Sequence, residues 1–221
     1  MALSIFDAVG YTVHREAPLP PLIQPYGYVM AGNGLFVRAA NDFVAVCWCI
    51  APAEVRGLSP LDNTLTLKHP RLPAQTLLDI INDARQFPEL EVLYQTLYQS
   101  SPEQQPGLTG WRFITYRAAL GTACSIDYED MPGPLLLDTH SHHTMAAFFS
   151  NIDDAYHTAM RWYAVIGRIH DQPPHVLLRL SVYGHFILTP LTALFDIGPM
   201  SVTDAFLSAS CQAAMDSYAN R

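Results

Sequence analysis

A short apolar run in the middle of the chain leads directly into a pair of histidines. Residues 134–138, Pro-Leu-Leu-Leu-Asp, follow a glycine and precede His140 and His142. An apolar run of this length, bounded by turn residues, is typical of a strand buried on both faces of a sheet. We therefore expect a central strand here, with covering layers on both sides of its sheet.

The composition fits a compact folded protein and excludes one class of partner. Half of the 221 residues are hydrophobic and 14% are charged, which is the balance of a globular chain. The formal net charge of −8 offers no basic patch to a phosphate backbone, so we expect no nucleic-acid partner. No apolar segment approaches the roughly 20 residues of a membrane span, and the first residues carry no export signal. With only four scattered cysteines, we expect a soluble cytoplasmic protein.

Hydrophobic periodicity and turn residues predict a mixture of strands and helices. Residues 1–73 are rich in proline and glycine, and the short runs between them predict an N-terminal β-rich region. Helical spacing begins at Ala74 and predicts a second domain over 74–221. Within it we predict helices over 74–86, 152–163 and 202–218, and strands over 91–99, 111–118, 164–169 and 176–186. This mixture indicates an α+β or α/β fold, a sheet with helices packed on it.

The segment after the central strand contains the residues that point to chemistry. If the strand continues, His140 and His142 project from one face, and both imidazoles can reach one metal ion. A catalytic zinc site takes three protein ligands and keeps a fourth position open. Asp153 completes the set if the intervening loop folds back, and Ser150 then lies about one helical turn from Asp153. The pattern is His-x-His, seven residues, Ser, two residues, Asp.

Other interpretations compete with a hydrolytic zinc site. Ser150 and Asp153 form Ser-x-x-Asp, which is close to a helix capping box and needs no metal. The sequence Asp138-Thr-His-Ser-His also opens amidohydrolase-like barrels, but such a barrel needs about 250 residues, and only 79 residues follow His142. A zinc deaminase is disfavoured because no Pro-Cys-x-x-Cys follows. Neither the histidine pair nor Ser-x-x-Asp is specific alone, and their mutual spacing favours the zinc hydrolase.

This spacing resembles the signature of the JAB/MPN (JAMM) metalloprotease family. The similar part runs from residue 74 to residue 186, and the closest likeness is to the JAB-like A proteins of bacterial PRTRC cassettes. The shared features are Asp-x-His-Ser-His-His, then Ala-Phe-Phe-Ser-x-x-Asp-Asp, then a strand like residues 163–169, and later residues 179–186, Arg-Leu-Ser-Val-Tyr-Gly-His-Phe. His143 stands where many family members have proline.

The resemblance implies a catalytic base on the strand after the first helix of the domain. Family members commonly carry Pro-x-Glu-Val there, and Leu90-Glu91-Val92 matches this pattern, with Tyr94 in place of a glycine that usually follows. Glu91 is therefore the expected base, and Glu89 is the alternative. Asp138 and Asp154 either orient the histidines as hydrogen-bond acceptors or only place a negative charge at the end of a strand and at the start of a helix.

The family implies a JAB/MPN-like (cytidine-deaminase-like) mixed β-sheet flanked by helices, here with an N-terminal β-rich extension. It also implies a zinc-dependent metallopeptidase or isopeptidase, with His140, His142 and Asp153 as ligands of Zn²⁺. Zinc and Glu91 would activate water, and Ser150 would stabilise the oxyanion. By the same analogy the substrate is a ubiquitin-like conjugate or precursor, and the partners are ubiquitin-like and E1-like (ThiF-related) proteins. The alternative is a non-catalytic binding or scaffold protein in such a cassette.

Overall fold

The structure, a computed structural model, describes residues 9–100 and 111–197. The chain divides between His69 and Pro70 into two compact units. The boundary expected from the sequence, between Pro73 and Ala74, lies four residues further along the chain.

The first unit is a five-stranded sheet made from the short runs between the prolines and glycines. In pairing order its strands are β1 (Val9–Val13), β2 (Tyr26–Ala31), β3 (Gly34–Ala40), β4 (Val44–Pro52) and β5 (Thr64–Leu67). β1 and β2 are parallel, and the other pairs are antiparallel. One apolar cluster of this unit comprises Val29, Ala31, Phe36 and Cys47. Val29 and Ala31 point to the same side because alternate residues of a strand share a face.

The second unit is built on a six-stranded sheet. In pairing order its strands are β12 (His185–Thr189), β11 (His175–Val182), β10 (Arg161–Gly167), β9 (Leu135–Ser141), β7 (Val92–Ser100) and β8 (Trp111–Leu120). All seven residues of β9 are buried, so the apolar run at 134–138 does enter an interior strand. β9 is parallel to β10 and antiparallel to β7. A two-stranded sheet pairs β6 (Leu72–Pro73) with β13 (Phe195–Asp196).

The helix α1 (Ala74–Ala84) packs through one apolar stripe, as its spacing predicted. The buried residues of that stripe are Leu77, Ile80, Ile81 and Ala84. From the sheet, the Tyr94 hydroxyl donates a hydrogen bond to Asp83 of this helix at 2.8 Å. The register pairs Leu93 with His140 and Tyr94 with Thr139, so Tyr94 points away from the face that carries His140. The helix and the histidines therefore lie on opposite faces of the sheet.

The expected helix-flanked α+β sheet, and with it the JAB/MPN-like (cytidine-deaminase-like) fold, is wrong. The structure is mostly β-sheet: the described residues form thirteen strands in three sheets and only two α-helices, of 11 and 6 residues. The helix expected over 152–163 is α2 (Asn151–Tyr156) alone. Trp162 and Tyr163 belong instead to β10, where they are buried in the sheet. Residues 157–163 contain no glycine or proline that would mark the end of a helix, so the predicted helix ended too late.

The strand expected over 176–186 is a hairpin of β11 and β12. Tyr183 and Gly184, between the two strands, have φ angles of 51° and 89°. Two successive residues with positive φ form the tight turn that matches the twist of a hairpin. The helix expected over 202–218 lies outside the described residues. Among the described residues, no helix has the length and apolar character that a membrane crossing requires.

Candidate metal centre

His140 and His142 lie at the end of β9 and turn their rings toward each other. Their Nε2 atoms are 3.0 Å apart, and the two side chains are among the buried polar groups of the structure. The Nδ1 of His142 lies 3.4 Å from the carbonyl oxygen of Ala146. If Nδ1 carries the proton and donates it there, Nε2 of His142 keeps a lone pair on the side of His140. That tautomer is the one that binds a metal.

The loop after His142 folds back onto the end of β10. The His142 amide donates to the Ile166 carbonyl at 2.7 Å, and the Met145 amide donates to the His142 carbonyl at 2.8 Å. From the other side, the Arg168 amide donates to the Met145 carbonyl at 2.6 Å. These hydrogen bonds return the chain toward the sheet. Asp153 can reach the same metal ion as the histidines only if the loop reverses in this way.

Two backbone positions allow this loop. A Cβ added to Gly167 would lie 2.1 Å from the Ala147 nitrogen, so only glycine fits under the loop. His143 has a φ of 36°, whereas the proline ring holds φ near about −65°. A proline could therefore not adopt the conformation observed at position 143. The His143 ring is held in turn by its Nε2, which lies 2.7 Å from the Ala123 carbonyl oxygen.

Asp153 approaches the histidines from α2. Its Oδ1 lies 3.6 Å from Nε2 of His140, and one ligand atom from each of His140, His142 and Asp153 lies within 4.8 Å of the others. Zinc bonds of about 2.0–2.2 Å in a tetrahedral arrangement place ligand atoms about 3.3 Å apart. The observed separations are close enough that these three residues could hold one metal ion.

Ser150 is the N-cap of α2 and forms a full capping box with Asp153. The Ser150 amide and hydroxyl donate to Oδ2 of Asp153 at 2.6 and 2.7 Å, and the Asp153 amide donates back to the Ser150 Oγ at 3.1 Å. The capping interpretation of Ser-x-x-Asp and the ligand interpretation are therefore compatible. Ser150 occupies one carboxylate oxygen and leaves Oδ1 directed at His140.

The electrostatics of the cluster favour the protonation states that bind metal. Burial lowers the pKa of His140 to about 4, against the opposing charge of Asp153. Burial also lowers the pKa of His142. For Asp153, burial opposes ionisation, but His140 and the hydrogen bonds from Ser150 outweigh it and lower the pKa. Neutral imidazoles and an ionised carboxylate are the forms that coordinate zinc.

Glu91 lies immediately before β7 and shares the histidine face. Because Leu93 pairs with His140 in an antiparallel register, continuing that register places Glu91 beside His142. The side chain is only 6% exposed. Burial raises the pKa of Glu91, and the charge of Asp153 raises it further. Glu89, the alternative base, lies in a turn outside the strand and is exposed.

Asp138 and Asp154 both pair with arginines. Asp138 Oδ2 accepts from Arg161 at 2.7 Å, and Asp154 Oδ1 accepts from Arg179 at 2.5 Å. The ring nitrogen contacts described for His142 involve Ala146 and His140. The carboxylates therefore serve arginines rather than the histidine rings.

Arg179 and His157 were not among the residues predicted from the sequence for this site. His157 is 4% exposed, its ring stacks on Tyr163 with centroids 3.6 Å apart, and its centroid is 6.5 Å from that of His140. Its Nδ1 accepts from Arg179 at 2.7 Å. One signal was available, because an arginine inside the apolar strand Val-Leu-Leu-Arg-Leu must find polar partners when it is buried.

A scan against protein-family models and a search of curated proteins gave no match to this chain. What points to a function is therefore the spacing of the residues in the sequence and their arrangement at the end of β9. Chemically, the arrangement combines three potential metal ligands, a buried carboxylate on the same face and a hydroxyl.

Proposed function

We propose that the protein is a zinc-dependent metallopeptidase or isopeptidase of JAMM type. The observation that carries this proposal is the convergence of His140, His142 and Asp153 within 4.8 Å, with Glu91 on the same face. A relationship to the JAB/MPN metalloproteases is part of the proposal and rests on the residue spacing. The overall fold does not support it, but function depends on the site rather than on the fold.

The metal ligands and Glu91 have separate roles in such a reaction. A zinc ion bound here would supply Lewis-acid polarisation of the scissile carbonyl and lower the pKa of water. The neutral imidazoles and the ionised Asp153 provide the ligand set. Glu91 accepts a proton from the attacking water and passes it to the leaving amine, and a raised pKa improves a carboxylate for both steps.

Ser150 is proposed as the donor that stabilises the oxyanion. Its single hydroxyl hydrogen is directed at Asp153 Oδ2, and a hydroxyl donates to one acceptor at a time. Donation to a substrate oxygen therefore requires the hydroxyl to rotate, after which the Ser150 amide still holds the carboxylate.

The substrate and partners follow from the resemblance to PRTRC cassette proteins. We propose a ubiquitin-like protein conjugate or precursor as substrate, and ubiquitin-like and E1-like (ThiF-related) proteins as partners. A net charge of −8 argues against nucleic acid. We place the protein in the cytoplasm, where thiols stay reduced; the three described cysteines, Cys47, Cys49 and Cys124, are all free.

A second candidate function is a binding or scaffold protein that holds the metal without turnover. The specific observation in its favour is the Ser150 hydroxyl, which is occupied by Asp153. This candidate and the enzyme share the metal centre and differ only in whether Glu91 and Ser150 act on a substrate.

Metal analysis of the purified full-length chain tests the shared part of both candidates. We expect about one zinc per chain by mass spectrometry of the metal content, and its loss in His140→Ala. A wild-type chain purified from zinc-supplemented cells with no zinc bound would overturn both.

Hydrolysis separates the two candidates. Fluorogenic peptides with either a linear or a lysine side-chain amide bond serve as probes. We expect Glu91→Gln to retain zinc and lose hydrolysis, whereas Glu89→Gln, the matched exposed control, keeps both. A wild-type chain that binds zinc but cleaves neither probe nor a ubiquitin-like fusion would favour the scaffold.

A further inference from the structure

The third ligand of the proposed metal centre lies on an element that cannot hold itself in place. α2 has six residues, and none of them is buried. Isolated helices shorter than about 12 residues are marginal in water. The position of Asp153 must therefore be fixed by contacts that reach α2 from outside.

Arg179 supplies such contacts from β11. The cross-strand register places Asp138, Tyr163 and Arg179 in one row, and Asp138 shares the face of His140. Arg179 therefore points to the side of the sheet that carries the histidines. It is 1% exposed, so its charge must be neutralised by neighbours.

The guanidinium binds both sides of Asp153 along the chain. Its Nη1 donates to Asp154 Oδ1 at 2.5 Å, and its Nη2 donates to His157 Nδ1 at 2.7 Å. The guanidinium carbon also lies 3.8 Å from the ring centroid of Phe149, just before the Ser150 cap, and 3.9 Å from that of Phe186. One side chain thus contacts the residues before, within and at the end of α2.

The geometry suits arginine and no other residue. A planar guanidinium donates two hydrogen bonds in different directions while its faces stack on aromatic rings. Lysine offers a single point charge and cannot fill both functions. Because no residue of α2 is fully buried, these contacts and the capping box are what orient the Asp153 carboxylate.

We propose that Arg179 is a positioning residue that holds Asp153 as the third metal ligand. The inference rests on the proposed function, because it requires the metal. Arg179 acts by fastening α2 to β11. Residues behind metal ligands typically contribute about 10- to 100-fold to metal affinity, and we expect a loss of that size for Arg179→Lys.

A double-mutant cycle on zinc affinity tests this role. Zinc dissociation constants are measured by competition with a chromophoric chelator for the wild type, Arg179→Lys, Asp153→Ala and the double variant. We expect Arg179→Lys to weaken zinc binding about 10- to 100-fold when Asp153 is present, and by less than about threefold when Asp153 is already alanine. Equal losses in both backgrounds would mean a general structural role and would overturn the inference.

Arg161→Met is the control for a partly buried arginine of the same sheet. Arg161 pairs with Asp130 and Asp138. We expect Arg161→Met to lower the melting temperature. Its effect on zinc affinity should be the same whether residue 153 is aspartate or alanine. If Arg179→Lys does not fold, Asp154→Asn, which removes the carboxylate charge that pairs with Arg179, replaces it in the cycle.

Cobalt substitution gives a second readout that a loss of stability would not change. We expect the d–d absorption of the Co²⁺ form of Arg179→Lys to shift toward that of Asp153→Ala; a spectrum identical to the wild type would count against the inference. A wild-type chain that binds no metal refutes the proposed function, and this inference falls with it. A wild-type chain that binds zinc with no change in the cycle refutes the inference alone.

Discussion

The ligands of the proposed metal centre lie on two elements, β9 and α2, which we call its supports. The two supports are held in place in different ways. β9, which carries His140, is hydrogen-bonded to β7 on one side and β10 on the other, and all of its residues are buried. α2, which carries Asp153, is six residues long and buries none. The histidine support is fixed by the sheet, whereas the aspartate support depends on a few polar side-chain contacts. A ligand set built this way can be complete or incomplete without any change in the sheet.

Hydrogen exchange of the metal-free protein should show the largest contrast between the two supports. We expect amides in β9 to exchange only through global unfolding, at a cost of roughly 5–15 kcal/mol. The amides of Asp154 and His157, which donate to Ser150 and Asp153, should exchange through local opening at a much smaller cost. The measurement is residue-resolved exchange by NMR in the presence of a chelator.

Zinc binding should reduce this difference, because it stabilises α2. An ion that binds only the closed α2 protects it by RT ln(1 + [L]/Kd), about 2.7 kcal/mol at a hundred times Kd. Protection should increase at Asp154 and His157 and not in Asp153→Ala. Equal protection of the β9 and α2 amides from exchange without metal would show that the two supports do not differ in local stability.

The same contrast explains which parts of the site the sequence could reveal. The His140–His142 pair and the Ser150–Asp153 box depend on local periodicity, so their residues share a strand face or a helical turn as expected. The length of α2 was missed because residues 157–163 contain no glycine or proline to mark the end of the helix. Arg179 contacts residues 22 and 25 positions away, and such pairing arises only from the fold. The helix-flanked architecture was inferred from the mixture of periodic segments and from the family resemblance, and it is wrong because the described residues form three sheets and only two α-helices.

Gly167→Ala tests the loop that connects the two supports. The added Cβ would meet backbone atoms of Ala146 and Ala147, and overpacking of this kind costs typically about 1–3 kcal/mol. We expect a loss of that size in urea denaturation, together with weaker zinc binding. Gly184→Asn is the control, because a Cβ there meets nothing within 4 Å and asparagine tolerates a positive φ. A variant as stable as the wild type would show that the loop is not seated on Gly167.

His157→Gln tests the C-terminal end of α2 through pH. Burial, followed by the charge of Arg179, lowers the pKa of His157 to about 3, whereas an unfolded histidine titrates near about 6.5. Below that pH the unfolded state binds the extra proton, so the stabilisation is present above about pH 6.5 and is lost as pH falls. The contribution changes by at most about 1.4 kcal/mol per pH unit.

We therefore expect the metal-free wild type to lose stability faster than His157→Gln between pH 6.5 and pH 5. Glutamine can still accept the hydrogen bond from Arg179 through its amide oxygen, so the contact is kept and the titration is removed. The difference between the two urea curves isolates His157, because all other groups are shared. Parallel pH dependences would mean that His157 is not held neutral beside α2.

Substitution of Ser150 should change stability the least. It also distinguishes the two proposed roles of Ser150, which are to hold Asp153 and to donate a hydrogen bond to the substrate. Ser150→Ala removes the hydroxyl from the capping box, which typically costs about 1 kcal/mol, and frees one side of the Asp153 carboxylate, so zinc affinity should fall about 10-fold. Ser150→Thr keeps the hydroxyl and should recover both. If the hydroxyl also donates to the substrate, hydrolysis by Ser150→Ala stays reduced when zinc is saturating. Full recovery of the rate at saturating zinc would confine Ser150 to holding Asp153, because the only defect left would then be in the aspartate support.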